Sequence, residues 1–181
     1  QRVVGPGESV NIIHPSLEIE GYFTDTDKKY IAAAKKVGIH NYMLSFVESE
    51  QDLTDLRTLD NKADIIAKIE SKKGLSYVEH ASTLPRLMAA RGDLYMELHW
   101  PHTILEALET IVKKSPTAVA ASRILDSLAT SPEPSCEDLG DLDNLLRMGY
   151  HTVMFGDEVC LRRETIIPAL NVFQRVAERY N

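Results

Sequence analysis

The sequence predicts an α/β fold built on a parallel sheet of about five strands. Short apolar runs rich in strand formers recur five times along the chain, and amphipathic helical patterns fall between them. A helix between consecutive strands returns the chain to the end it left, so neighbouring strands run parallel through right-handed crossovers with both faces covered. In addition, two consecutive strands break into charge at the same end, which points to a site there.

Residues 1–22 mix Gly, Pro and Asn with short apolar pairs and read as an extended arm; residues 23–181 carry the repeating pattern. Thr24 with Asp27 forms an N-terminal cap for a helix running to about Val37, where Gly38 stops it. Strands are expected at Tyr42 to Val47, Asp64 to Ile69, Leu87 to Ala90, Thr117 to Ala121 and His151 to Phe155. Helices are expected at Gln51 to Leu59, near Leu75 to Ala81, at Thr103 to Lys113, as a pair at Ile124 to Ala129 and Cys136 to Met148, and at Glu164 to Tyr180. Pro132 and Pro134 separate the pair, and Ser135 with Asp138 caps its second member.

With 181 residues, 44% hydrophobic and 26% charged, the chain has the makings of one soluble domain with a substantial core. The net charge is −7 and the cations are scattered, so the long-range field opposes nucleic acid as a partner. No apolar run approaches a membrane span, and the start has no secretion signal, so a cytoplasmic protein is expected. Cys136 and Cys160 are too few for a disulfide framework and fit a reducing compartment, although a single bridge between them stays open. His99 and His102 flank Trp100 and Pro101 and read as a loop or helix start.

The most informative stretch is Ile65 Ile66 Ala67 Lys68 Ile69 Glu70, a short strand expected to be fully buried that ends in one cation and one anion. Side chains alternate faces along a strand, so Lys68 and Glu70 point the same way as Ile66, away from Ile65, Ala67 and Ile69. Both charges could simply sit at a solvated strand end. The next apolar run, Leu87 to Ala90, also breaks into charge at Arg91 Gly92 Asp93, which favours a shared site. Glu70 and Asp93 suit Mg²⁺ or Mn²⁺, ions that take one or two protein carboxylates and leave other positions to water and substrate oxygens.

Ile65 to Glu70, Ala90 to Leu94, Leu44 Ser45 Phe46 Val47, Ala121 to Leu128 and Thr152 to Phe155 resemble, in order and spacing, the second part of the catalytic barrel of pyruvate kinase. The resemblance runs from about Pro6 to Val176, and Pro6 to Asn11 resembles the segment by which that family's chain re-enters its barrel. It implies a parallel (β/α) barrel, partial at about five strands unless another segment or chain completes it, since the closed form has eight. The exposed edges of such a piece would be covered by a second chain, another segment or a second copy, so a homo-oligomer or a completing partner is expected.

The resemblance also implies roles. Lys68 matches the lysine that stabilises the enolate and the transferred phosphoryl group, and Glu70 and Asp93 match the carboxylates that hold Mg²⁺ or Mn²⁺. Ala90, Gly92 and Asp93 match the backbone that receives the substrate carboxylate. Ser122 matches a threonine; a hydroxyl that merely caps the next helix is the competing reading. Ser45 and Phe46 would shape the floor, Phe46 as a plain core residue on the simpler view.

Four departures stand out. Tyr95 replaces a glycine and would narrow the pocket or alter the following turn, Arg123 replaces a glutamine, Glu48 replaces an arginine, and only Glu158 survives from the Ser, Gly, Glu, Thr run after the last strand. The family's early-strand ligands for K⁺ and phosphoryl have no counterpart in these residues, which puts K⁺ in doubt. The expected function is metal-dependent stabilisation of the enolate of phosphoenolpyruvate, pyruvate or a related 2-keto acid, with or without phosphoryl transfer. The alternatives are an enolate-forming lyase, aldolase or decarboxylase without nucleotide, and a non-catalytic binding or assembly module.

Overall fold

The computed structural model describes residues 21–180, so the greater part of the predicted arm, with Pro6 to Asn11, lies outside the described residues. The Thr24 hydroxyl accepts from the Asp27 amide while the Asp27 carboxylate accepts from the Thr24 amide, and this predicted capping box starts α1 (Asp25–Lys36). There follow β1 (Asn41–Leu44), α2 (Glu50–Leu59), β2 (Asp64–Ile69), α3 (Lys72–His80), β3 (Arg86–Ala90), α4 (Arg91–Glu97), α5 (Ile104–Lys114), β4 (Val119–Ala121), α6 (Cys136–Met148), β5 (Thr152–Met154), α7 (Asp157–Cys160) and α8 (Arg163–Ala177).

All five strands join one parallel sheet in the order β1-β2-β3-β4-β5. Sequential order is decisive for architecture, because a doubly wound sheet reverses direction partway whereas a (β/α) barrel adds each strand beside the last. The fold is therefore a part of such a barrel, as the sequence predicts. Its two edges, β1 and β5, each pair on one side only among the described residues.

Period-two alternation sorts the strand residues onto two faces. Leu44, Ile65, Ala67, Ile69, Leu87, Ala89 and Ala120 face the helices and form the main core with Leu53, Leu56, Ile111, Leu142 and Leu145. The opposite face is a thin layer of Met88, Val119 and Ala121 with Ile66 and Met154 packed on it. β2 is consequently not buried throughout, contrary to expectation: Ile66 and Lys68 are only half-buried, because little covers that face. Tyr150 is wholly buried and its hydroxyl donates to the Leu108 carbonyl at 2.8 Å, fastening the approach to β5 onto α5.

Several boundaries move for local reasons. The first strand stops at Leu44, short of Val47, because Phe46 takes a left-handed φ of 50° and turns the chain. The helix expected at Ile124 to Ala129 is one 3₁₀ turn, Asp126–Ala129, since Ser122, Arg123 and Leu125 have φ of 71°, 54° and 57° and interrupt any helix before it. The last expected helix ends at Ala177, and Glu178–Tyr180 is a 3₁₀ turn. The short α4 and α7 escape a periodicity argument, being seven and four residues long. Ser135 caps α6 by accepting from the Asp138 amide, but the Asp138 carboxylate turns to Ser127 instead of closing a box. Cys136 and Cys160 are free and exposed, so the bridge left open does not form. Among the described residues no helix is long and apolar enough to cross a membrane.

Candidate functional site

Parallel strands that end together bring the residues just beyond them to one rim. Register places Ile69 beside Ala89 and Ala90 beside Ala121, so Glu70, the turn into α4 and Ser122 follow adjacent strand ends. Lys68 and Glu70 lie on the predicted common side, with Lys68 Nζ 2.8 Å from Glu70 Oε1. The pair is not at a solvated strand end: the Glu70 side chain is 3% exposed and that of Lys68 22%. Glu70 Oε2 accepts from the Phe46 amide at 2.6 Å, and Lys68 Nζ also donates to Ser45 Oγ at 3.1 Å.

The β1 end thus grips the carboxylate with backbone, and Phe46 serves through its amide. Phe46 is 40% exposed, which overturns the reading of a core phenylalanine; the left-handed turn points the amide at Glu70 and leaves the residue outside the core. Tyr22 donates its hydroxyl to the Ser45 carbonyl. Burial, followed by the fields of Asp52, Glu70 and Glu48, pushes that phenol above its usual range and keeps it a donor. Glu48 binds the next loop, accepting from Ser71 Oγ at 2.6 Å and pairing with Lys73 Nζ at 3.0 Å.

From β3 the chain passes directly into α4, so Ala90 is the residue before the helix and Gly92 and Asp93 lie in its first turn. Ser122 comes close: a Cβ on Gly92 would lie 3.4 Å from Ser122 Oγ. No helix starts at Ser122, and its φ of 71° removes the capping reading. Ser122 and Gly92 are thus brought together from just beyond the ends of β4 and β3.

Arg91 organises this corner, and sequence reasoning assigned it no role. The residue is 8% exposed and its guanidinium is saturated. Nε donates to the Ala121 and Ser122 carbonyls at 3.3 and 3.1 Å, and Nη2 to those of Ser122 and Arg123 at 2.7 and 3.0 Å. Nη1 lies 2.7 and 2.8 Å from the two Asp141 oxygens on α6. A left-handed non-glycine residue costs on the order of 1 kcal/mol, and here two in a row, Ser122 and Arg123, are held by carbonyl bonds to one buried cation. The available signal was an arginine at the end of an apolar strand, where a long charged side chain needs partners.

Two of the departures noted in the sequence meet in space. The Arg123 guanidinium lies over the Tyr95 ring, 5.5 Å from its centroid. At the end of β5, Asp126 Oδ1 is buried with no hydrogen-bond partner among the described residues. Burial, then Glu158 and Asp138, raise the pKa of Asp126. Gly156 sits between them: a Cβ there would lie 3.4 Å from Glu158 Oε2 and 3.8 Å from Asp126 Oδ1. His99 precedes the 3₁₀ turn Pro101–Thr103 and His102 lies within it, and both are exposed.

Glu70 and Asp93 offer hard oxygen donors of the kind that Mg²⁺ and Mn²⁺ take. Among the described residues no group of three or more His, Cys, Asp or Glu side chains is arranged to hold a metal. Both Glu70 oxygens already have partners, Lys68 Nζ at Oε1 and the Phe46 amide at Oε2.

Residues 2–161 match the family model described as pyruvate kinase, barrel domain. Curated relatives include pyruvate kinase of Thermoplasma acidophilum, 29% identical over 157 residues that cover 82% of this chain and 29% of the relative. Pyruvate kinase of Methanocaldococcus jannaschii is 28% identical over 184 residues, covering 96% and 41%, and that of Borreliella burgdorferi is 26% identical over 181 residues, covering 95% and 38%. The chain thus spans less than half the length of these relatives.

Proposed function

Because the chain belongs to the pyruvate kinase family, we propose that it carries the part of a pyruvate-kinase-like site that stabilises the enolate of pyruvate, phosphoenolpyruvate or a related 2-keto acid with a divalent cation. The single observation that supports this most is Lys68 beside Glu70, an ammonium and a buried carboxylate held 2.8 Å apart at the carboxyl ends of parallel strands. Removing charge from water to such a place is costly unless each charge has a use or a partner.

In this reading Glu70 and Asp93 hold Mg²⁺ or Mn²⁺, which when bound would polarise the substrate's carbonyl or enolate oxygen. Lys68 places a compact positive charge where negative charge develops on oxygen, the interaction that lowers a barrier most when it is prearranged. Ser45 and the Phe46 amide orient Lys68 and Glu70, so neither must reorganise as charge moves. Ala90, Gly92 and Asp93 receive the substrate carboxylate through backbone, and the Ser122 hydroxyl stands beside them for a proton or a substrate oxygen. The sheet edges at β1 and β5 are covered in this reading by further β/α units, from another stretch of polypeptide or a second chain.

Exchange of the C3 protons of pyruvate, followed by NMR in D₂O with Mn²⁺ or Mg²⁺, tests the proposal. Metal-dependent exchange that Lys68→Met reduces by about a hundredfold or more, with folding unchanged, supports it. Exchange that Lys68→Met leaves untouched rejects it. ADP separates the two chemistries the family resemblance allows, since stimulation by ADP favours phosphoryl transfer and indifference favours enolate chemistry alone.

A further inference from the structure

Tyr95 and Arg123 are 28 positions apart in sequence, and the resemblance puts a glycine and a glutamine in their places. In the structure they contact each other, the guanidinium over the ring at 5.5 Å. An arginine at the surface ordinarily samples many rotamers; here ring and backbone both restrict it. Its carbonyl accepts from the buried Arg91 at 3.0 Å and its φ is fixed at 54°. Among the described residues it makes no ion pair within bonding range, although Asp126 lies near enough to feel its charge. The guanidinium is thus positioned, exposed and without a carboxylate partner of its own among the described residues.

Its place relative to the rest of the rim decides what it could select. β2, β3 and β4 are consecutive; Lys68 lies one residue before the end of β2, Asp93 in the first turn of α4 just past β3, and Arg123 two residues past β4, directly following Ser122. β2 and β4 are two interstrand steps, about 10 Å, apart, so a cation borne at the end of each flanks the strand that leads into Asp93. We propose that Arg123, propped by Tyr95, is a specificity-determining residue that favours a 2-keto acid bearing a second carboxylate at the end away from the keto group. A guanidinium matches a carboxylate as a planar fork, and a ring beneath it lowers the entropy lost on pairing.

This inference rests on the enolate-site reading above, and pyruvate and oxaloacetate differ only by the distal carboxylate, so together they separate the two. Isothermal titration of the full chain with each, in the presence of Mg²⁺, should give tighter binding of oxaloacetate by about tenfold or more. Arg123→Gln should erase that preference while leaving pyruvate affinity within twofold, Tyr95→Gly should reduce it, and Tyr95→Phe should retain it because the ring face is kept. Pyruvate binding with no preference for oxaloacetate, or a loss in Arg123→Gln shared equally by both acids, overturns the inference and leaves the enolate site standing. Binding of neither acid overturns both readings.

Discussion

Arg91 and Asp141 meet end to end beneath the rim, with Nη1 placed 2.7 and 2.8 Å from the two carboxylate oxygens, and through this contact α6 anchors the turn that carries Ser122 and Arg123. Asp141 neutralises the guanidinium while the other two nitrogens bind three carbonyls, so the pair acts as a rivet between helix, strand end and loop.

Substituting Arg91 therefore removes a buried cation and orphans three carbonyls at once. Arg91→Met should destabilise the fold by about 3 kcal/mol, measured by urea unfolding. Arg91→Lys should fare almost as badly, because an ammonium cannot present donors in the planar fork these carbonyls require. Asp141→Asn, which keeps the shape and loses the charge at a site 37% exposed, should cost only about 1 kcal/mol. Equal effects from Arg91→Lys and a surface control would contradict the rivet.

Gly74 tests a packing contact on which the site's floor depends. A Cβ at this position would lie 2.6 Å from the Val47 carbonyl oxygen, closer than atoms tolerate, and backbone is the obstacle on the far side. The first turn of α3 can approach the β1 end this closely only because the side chain is missing, and the Gly74 amide donates to Ser71 Oγ at 3.0 Å to hold it there. Gly74→Ala should destabilise by about 2 kcal/mol despite the better helix propensity of alanine, as read from chemical denaturation. A neutral or stabilising result would mean that the two elements part without cost.

Much of this arrangement was legible in the sequence because it depends on period and spacing. β2 has the predicted bounds, and Lys68 and Glu70 share a side because a strand alternates faces. What was hidden depends on contacts between distant positions. Nothing local links Arg91 to Asp141, 50 residues away, or Tyr95 to Arg123. Phe46 misled for a different reason: an aromatic in an apolar run ordinarily belongs in the core, and a left-handed φ that turns its amide to Glu70 leaves no trace in residue type. Ser122 was ambiguous between cap and site until the same kind of turn excluded the cap.

At the opposite, N-terminal end of the sheet, Asp60 should set an acid limit on stability. Its side chain is buried, yet it accepts from the Tyr42 hydroxyl at 2.8 Å and the Lys62 amide at 3.1 Å and lies 2.7 Å from His40 Nδ1. Burial alone would raise its pKa, but the bonds from His40, Tyr42 and Lys62 outweigh that effect and hold it at about 2, below the usual 3.8. A carboxyl depressed on folding stabilises the folded state above its unfolded value, and that contribution fades as pH falls through 3.8 toward about 2. Thermal melts should therefore show Asp60→Asn less stable than the parent at pH 6, with the gap narrowing across this acid window. A gap that stays constant down to pH 2 would assign the loss to shape alone.

Competition between Lys68 and a divalent cation gives the last prediction, and it separates the two roles that meet at Glu70. On the proposed reading both ligands would use the same oxygen: the ammonium holds Oε1 at 2.8 Å, while Oε2 is committed to the Phe46 amide at 2.6 Å. Removing the ammonium frees Oε1 and deletes a nearby positive charge, so Lys68→Met should bind Mn²⁺ about tenfold more tightly, a change of about 1.4 kcal/mol, even as the proposed enolate formation collapses. Glu70→Gln should do the reverse, weakening Mn²⁺ by tenfold or more while keeping a hydrogen-bond acceptor for the Phe46 amide. Water-proton relaxation titrations with Mn²⁺ read both changes without requiring turnover. If Lys68→Met binds the ion no better than the parent, the cation does not approach Glu70 from the side of the ammonium; if Glu70→Gln binds it equally well, this carboxylate is no ligand at all.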